Sequence, residues 1–132
     1  MPYSGPRGAI RAVLVKLGID PVERVDASDQ DPEYTACRSE ELDSYFRLYR
    51  ETADLNERAV LCCFLLDGLN ELIQDGCPHP REAEILNALI GAGEVHAAEL
   101  SYWADTSDPD PENWWPITNT LLRHMGRQAP RT

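Results

Sequence analysis

The sequence predicts an all-α fold, a compact bundle of four to five helices in one domain spanning residues 1–132, with loose ends at 1–5 and 127–132. Apolar residues recur at helical spacing in successive segments, and those segments are bounded by capping residues, glycines and prolines. A chain of 132 residues with 42% hydrophobic and 27% charged content is also large and apolar enough to bury one core without disulfides or metals.

The first segment places Ile10, Val13, Leu14 and Leu17 at helical spacing between Pro6 and Gly18, which favours a short helix, although the Ala-Val-Leu-Val run within it is compatible with a strand. Residues 20–38 are rich in Asp, Pro and Ser and lack periodicity, so an irregular connector is expected there. Ser39-Glu-Glu then opens a helix with a capping residue and acids in its first turn, and Leu42, Tyr45, Phe46 and Tyr49 form its apolar stripe.

The next helix is expected over 56–75, capped by Asn56 and stopped by Gly76. From Ala59 to Leu66 it is apolar on every side and reads as the central helix; beyond that it narrows, leaving Asp67, Asn70, Glu71 and Gln74 as a polar edge. Cys77-Pro-His-Pro makes a short turn into a third helix with Pro80 in its first turn, forming an antiparallel hairpin. Ile85, Leu86, Leu89 and Ile90 face inward, Gly91 and Gly93 mark a break or a close packing point, and the pattern resumes through Val95, His96, Leu100 and Trp103. An acidic, tryptophan-rich loop precedes the last helix, expected over 114–125 with Asn113 as cap, Pro116 in its first turn and Ile117, Leu121, Leu122 and Met125 as its stripe.

The net charge of −11 is unevenly distributed: residues 1–25 carry +2, residues 116–132 carry +3, and the centre, 26–115, holds −16. Such a body repels nucleic-acid phosphates and anionic membranes and attracts basic protein surfaces. No apolar run approaches the length needed to span a bilayer. Cys37, Cys62, Cys63 and Cys77 lack the spacing of a disulfide framework or a paired zinc site, and the N-terminal apolar stretch is interrupted by Arg11 and Lys16. A reduced, cytoplasmic setting is expected.

Catalytic signatures are sparse. The chain has no Gly-x-Ser-x-Gly elbow, no phosphate-cradling Gly-x-x-x-x-Gly-Lys loop and no His-Glu-x-x-His helix. Among His79, His96 and His124, only His96 lies on an apolar face near carboxylates, with Glu99 three residues on and Asp67 or Glu71 across the expected hairpin. A small His-based or metal-dependent enzyme centred there is one reading; a hydrogen-bonded core histidine is the simpler one. His96-Ala-Ala-Glu99 supplies too few ligands for a metal, so no metal, cofactor or catalytic residue is assigned.

The chain's three tryptophans fall in one acidic, proline-broken segment, Trp103 to Pro116. Trp103, Trp114 and Trp115 either close the core or anchor a partner, with Asp105, Asp108, Asp110 and Glu112 as dipole caps or as an acidic rim. This overall character resembles, as a class and without a shared motif, the inhibitors and immunity proteins that neutralise basic toxins or nucleases. The leading expectation is a non-enzymatic module that binds a basic protein through these seven residues. A structural or adaptor subunit is a third reading, suggested by the all-round apolar helix.

Overall fold

The computed structural model describes residues 7–24 and 38–128. It is all-helical, with no strand among the described residues: α1 Arg7–Lys16, α2 Pro21–Arg24, α3 Leu42–Glu51, α4 Leu55–Gln74, α5 Glu82–Gly91, α6 Ala97–Trp103 and α7 Thr118–Gln128, with short 3₁₀ turns at Ser39–Glu41, Gly93–His96 and Pro111–Asn113. The helical reading of residues 10–17 is therefore the right one. The chain divides into two compact units, Met1–Gly68 and Leu69–Thr132, with the boundary inside α4.

In the first unit, Ala9, Ile10, Val13 and Leu14 of α1 and the expected stripe of α3, Leu42, Tyr45, Phe46 and Tyr49, are all buried. So is every residue from Val60 to Leu66 of α4, as its unbroken apolar sequence requires. Helix α3 meets α4 through the tilted ring pair Tyr45–Phe64, whose centroids lie 5.1 Å apart, and through Leu42 against Gly68. A Cβ at Gly68 would sit 2.7 Å from Leu42 Cδ2, so the missing side chain is what lets the two helices approach. Burial among these groups pushes the Tyr49 hydroxyl up from its ordinary pKa.

Polar contacts fix the ends of these helices. Asp54, rather than Asn56, caps α4: its Oδ1 accepts the Glu57 amide at 3.0 Å and its carbonyl accepts the Arg58 amide, the N-cap geometry two residues earlier than the sequence suggested. Glu57, nearly buried, then receives Lys16 Nζ at 2.7 Å and Thr52 Oγ1 at 2.8 Å. This ties the end of α1 to the start of α4. Arg58 donates to the Thr52 carbonyl, and the guanidinium groups of Arg58 and Arg50 lie over the rings of Tyr49 and Phe46 at 5.5 and 4.5 Å.

The connector expected over 20–38 is not irregular at its start, since Pro21–Arg24 forms a helical turn; residues 25–37, Cys37 included, lie outside the described residues. Ser39 does not cap α3. The residue ahead of the 3₁₀ turn is Arg38, whose amide donates to the Tyr45 hydroxyl at 2.8 Å, while that hydroxyl donates to Glu41 Oε1 at 2.7 Å. Arg24 grips the same Glu41 carboxylate with both nitrogens, at 2.7 and 3.1 Å. This bidentate pairing holds the Glu41 carboxyl below the usual carboxylate range, and the Tyr45 bond adds to the effect.

In the second unit, α5 and α7 pack together, and Ile85, Leu86 and Leu89 of α5, Leu100 and Trp103 of α6 and Leu121 of α7 are buried. Two boundaries differ from expectation, and one that the sequence left open is decided. Pro80 precedes α5 rather than entering its first turn, because His79 Nδ1 and carbonyl take the Arg81 and Glu82 amides in a tight turn ahead of it. The Gly91 to Gly93 stretch is a break: α5 ends at Gly91, and Gly93 takes a φ of +72°, which a side chain would resist. The following 3₁₀ turn exposes Val95 but buries His96. Finally, α7 begins at Thr118 instead of residue 114, since Trp114 is extended and Trp115, the residue before Pro116, is disfavoured from helical geometry. Along α7, Leu122 lies on the exposed side, outside the expected stripe, and His124 on the buried one, with His124 Nδ1 3.3 Å from Asn87 Oδ1.

The Glu41 node yields a test. Glu41→Gln is expected to lower stability at neutral pH by about 1–2 kcal/mol, the scale of a hydrogen bond to a charged group. Because the folded carboxyl is depressed below the ordinary 4.5, the wild-type margin is present above that value and is lost as pH falls through the folded pKa. Urea midpoints of the two proteins should therefore converge in acid; a constant gap would rule out the Glu41 carboxylate as the source.

Candidate functional site

Trp103 and Thr118 are the stems of the loop comprising residues 104–117. Thr118 Oγ1 donates to the Trp103 carbonyl at 2.8 Å, and Asn70 Oδ1 accepts the Ile117 amide at 3.0 Å. An amide that would otherwise be orphaned at the start of α7 is thereby satisfied by a side chain from α4, the capping role expected of Asn113. Asn70 is accordingly buried rather than part of a polar edge. Joining the two ends makes the segment a closed surface loop of the kind that packs on its own side chains.

The three tryptophans have three different environments. Trp103 is 3% exposed and its Nε1 donates to the buried Glu99 carboxylate at 3.2 Å, one helical turn away. Trp114 is half-buried and its Nε1 donates to the Asp108 carbonyl at 2.8 Å, pinning its ring across the loop. Trp115 is 41% exposed. Its ring lies 5.1 Å from Trp103 and 5.7 Å from Tyr102, which itself meets Trp103 edge-on at 5.3 Å. The rings meet in tilted and edge-on arrangements rather than face-to-face, as their quadrupoles favour. Trp115 is thus backed by two aromatic neighbours while still presenting surface to solvent.

The four acids are exposed, and three of them build the loop. Asp105 Oδ1 accepts the Ser107 amide at 2.8 Å, Asp108 Oδ1 the Asp110 amide at 2.9 Å, and Asp110 Oδ1 the Glu112 amide at 3.0 Å. Each is a carboxylate bonded two residues ahead, the turn-forming habit of aspartate. The Ser107 amide, helped by the Ser107 side chain, holds the Asp105 carboxyl below the usual carboxylate range. These acids end six residues before α7, and Asp110 caps the 3₁₀ turn at Pro111–Asn113; local turns, rather than the α7 dipole, account for their positions.

All seven residues singled out in the sequence therefore belong to this one loop and its first stem, with Trp103 internal and the others at least partly accessible. Sequence reasoning missed three contributors. Tyr102 could have been suspected from its place beside Trp103; Asn70 and Thr118 carry no such signal, because their roles depend on which chain segments meet. In the other candidate region, His96 is buried, Glu99 Oε1 is occupied by the Trp103 indole, Asp67 is half-buried and Glu71 is exposed. Among the described residues no three His, Cys, Asp or Glu side chains form a group able to hold a metal ion, and no helix is long and apolar enough to cross a membrane.

Comparison of the chain with protein-family models, with curated proteins and with solved structures finds no match.

The division of labour among the rings predicts unequal mutational effects. Trp103→Ala should cost about 3–5 kcal/mol, as removal of a buried aromatic does, and Trp115→Ala only about 1 kcal/mol, the scale of lost ring pairing. Asn70→Ala leaves the Ile117 amide unmet and should cost about 1–3 kcal/mol, with faster hydrogen exchange at Ile117. Equal losses for Trp103→Ala and Trp115→Ala in chemical denaturation would contradict the assignment of one internal and one surface ring.

Proposed function

We propose that this chain is a non-enzymatic protein-binding module whose loop 104–117 engages a basic protein, most concretely as an immunity-type inhibitor that covers the active surface of a basic toxin or nuclease. The observation that carries this reading is Trp115, a large ring left 41% exposed on a rigid aromatic backing within a loop that holds four exposed acids. A partly exposed tryptophan that is already immobilised loses little side-chain freedom on binding, so more of its contact area converts into affinity. The acids supply the complementary contribution, since a negative rim accelerates encounter with a positive surface and disfavours acidic competitors. The concentration of −16 in residues 26–115 extends the same field beyond the loop.

The Asx-type turns allow a direct test, because asparagine keeps the Oδ1 acceptor on which the loop depends while removing the charge. In pull-downs from the source organism, the wild-type chain is expected to capture a basic protein whose retention falls with salt. The combined variant Asp105→Asn, Asp108→Asn, Asp110→Asn, Glu112→Gln should remain folded and lose at least roughly tenfold in affinity for that protein, with slower association. Trp115→Ala should weaken the complex mainly through faster dissociation. Capture that is indifferent to both variants, or capture of no basic protein, would return the loop to a structural role.

A further inference from the structure

Resting on that reading, we propose that the group received by the outer face of Trp115 is an arginine side chain of the basic partner, in preference to lysine. Trp103 and Tyr102 pack against the Trp115 ring in tilted contacts, and Trp115 still remains 41% exposed in the loop. Indole has the strongest cation-attracting face among the aromatic side chains. The chain from Ser101 to Thr120 carries no Lys, Arg or His, so nothing in this stretch supplies that face with a cation.

Two features select a guanidinium. The first is the distribution of acceptors: Asp105, Asp108 and Asp110 each commit Oδ1 to a backbone amide yet remain exposed, and the described carboxylates do not group around a metal-sized point. Acceptors spread along a closed loop suit a flat, forked donor that can stack on the indole and direct its N–H edge toward a carboxylate. An ammonium is a compact, strongly hydrated charge that gains less from either. The second is that guanidinium groups already lie over aromatic rings in this chain, Arg50 over Phe46 at 4.5 Å and Arg58 over Tyr49 at 5.5 Å.

The test compares octa-arginine with octa-lysine as probes, using isothermal titration and tryptophan emission on the whole chain at low and high salt. The expected result is tighter binding of octa-arginine by roughly three- to tenfold, a ratio that survives salt better than either affinity. That ratio should fall toward one in Trp115→Leu and be intermediate in Trp115→Phe, which preserves a ring should the leucine variant fail to fold. Equal affinities of the two peptides for the wild type would overturn the arginine assignment while leaving the basic-partner reading standing. A preference that persists unchanged in Trp115→Phe and Trp115→Leu would overturn the placement on this ring. Failure of both peptides to bind at low salt would overturn the assignment together with the reading beneath it.

Discussion

Helix α4 imposes the demand that organises the first unit, because from Val60 to Leu66 every residue is buried and no side of the helix is free to face water. A helix of this kind gains its stability from being enclosed, and neighbouring elements must bring apolar faces to it. The stripe of α3 does so through Tyr45 and Leu42, the latter seated where Gly68 has no side chain. Charged residues act mainly at the margins. Glu57 collects Lys16 and Thr52 at the start of α4, and Glu41 collects Arg24 and Tyr45 at the start of α3. Both acids are bonded to cations and hydroxyls, so their partial burial is compensated.

In the second unit, the equivalent constraint is closure of loop 104–117. The first part of this loop, residues 105–113, is polar apart from its prolines and has little apolar surface of its own, and its backbone donors need partners. Those donors are met in two ways. Aspartates take the amides within the loop, and Asn70 and Thr118 secure its ends. Once the ends are joined, Trp103 is held inside and Trp115 is stacked against it at the surface. The same carboxylates that shape the loop are the charges it displays, so structure and electrostatic character have one source.

The sequence alone accounted for the all-α class, the stripes of α1 and α3, the buried middle of α4 and the gathering of the tryptophans and acids into one segment. These features are local: helical periodicity and composition act through the nearest few residues, so they are visible without knowing what packs on what. Tertiary structure decided the capping of α4 by Asp54, the start of α7 at Thr118, the break at Gly93 and the exposure of Trp115 rather than Trp103. Each depends on a partner brought from elsewhere in the chain or on competition among nearby alternatives. Asn70 and Ile117 are 47 residues apart, yet their bond positions the loop. No periodicity records such a meeting, because an amide and a carboxamide find one another only after apolar burial has brought their helices together.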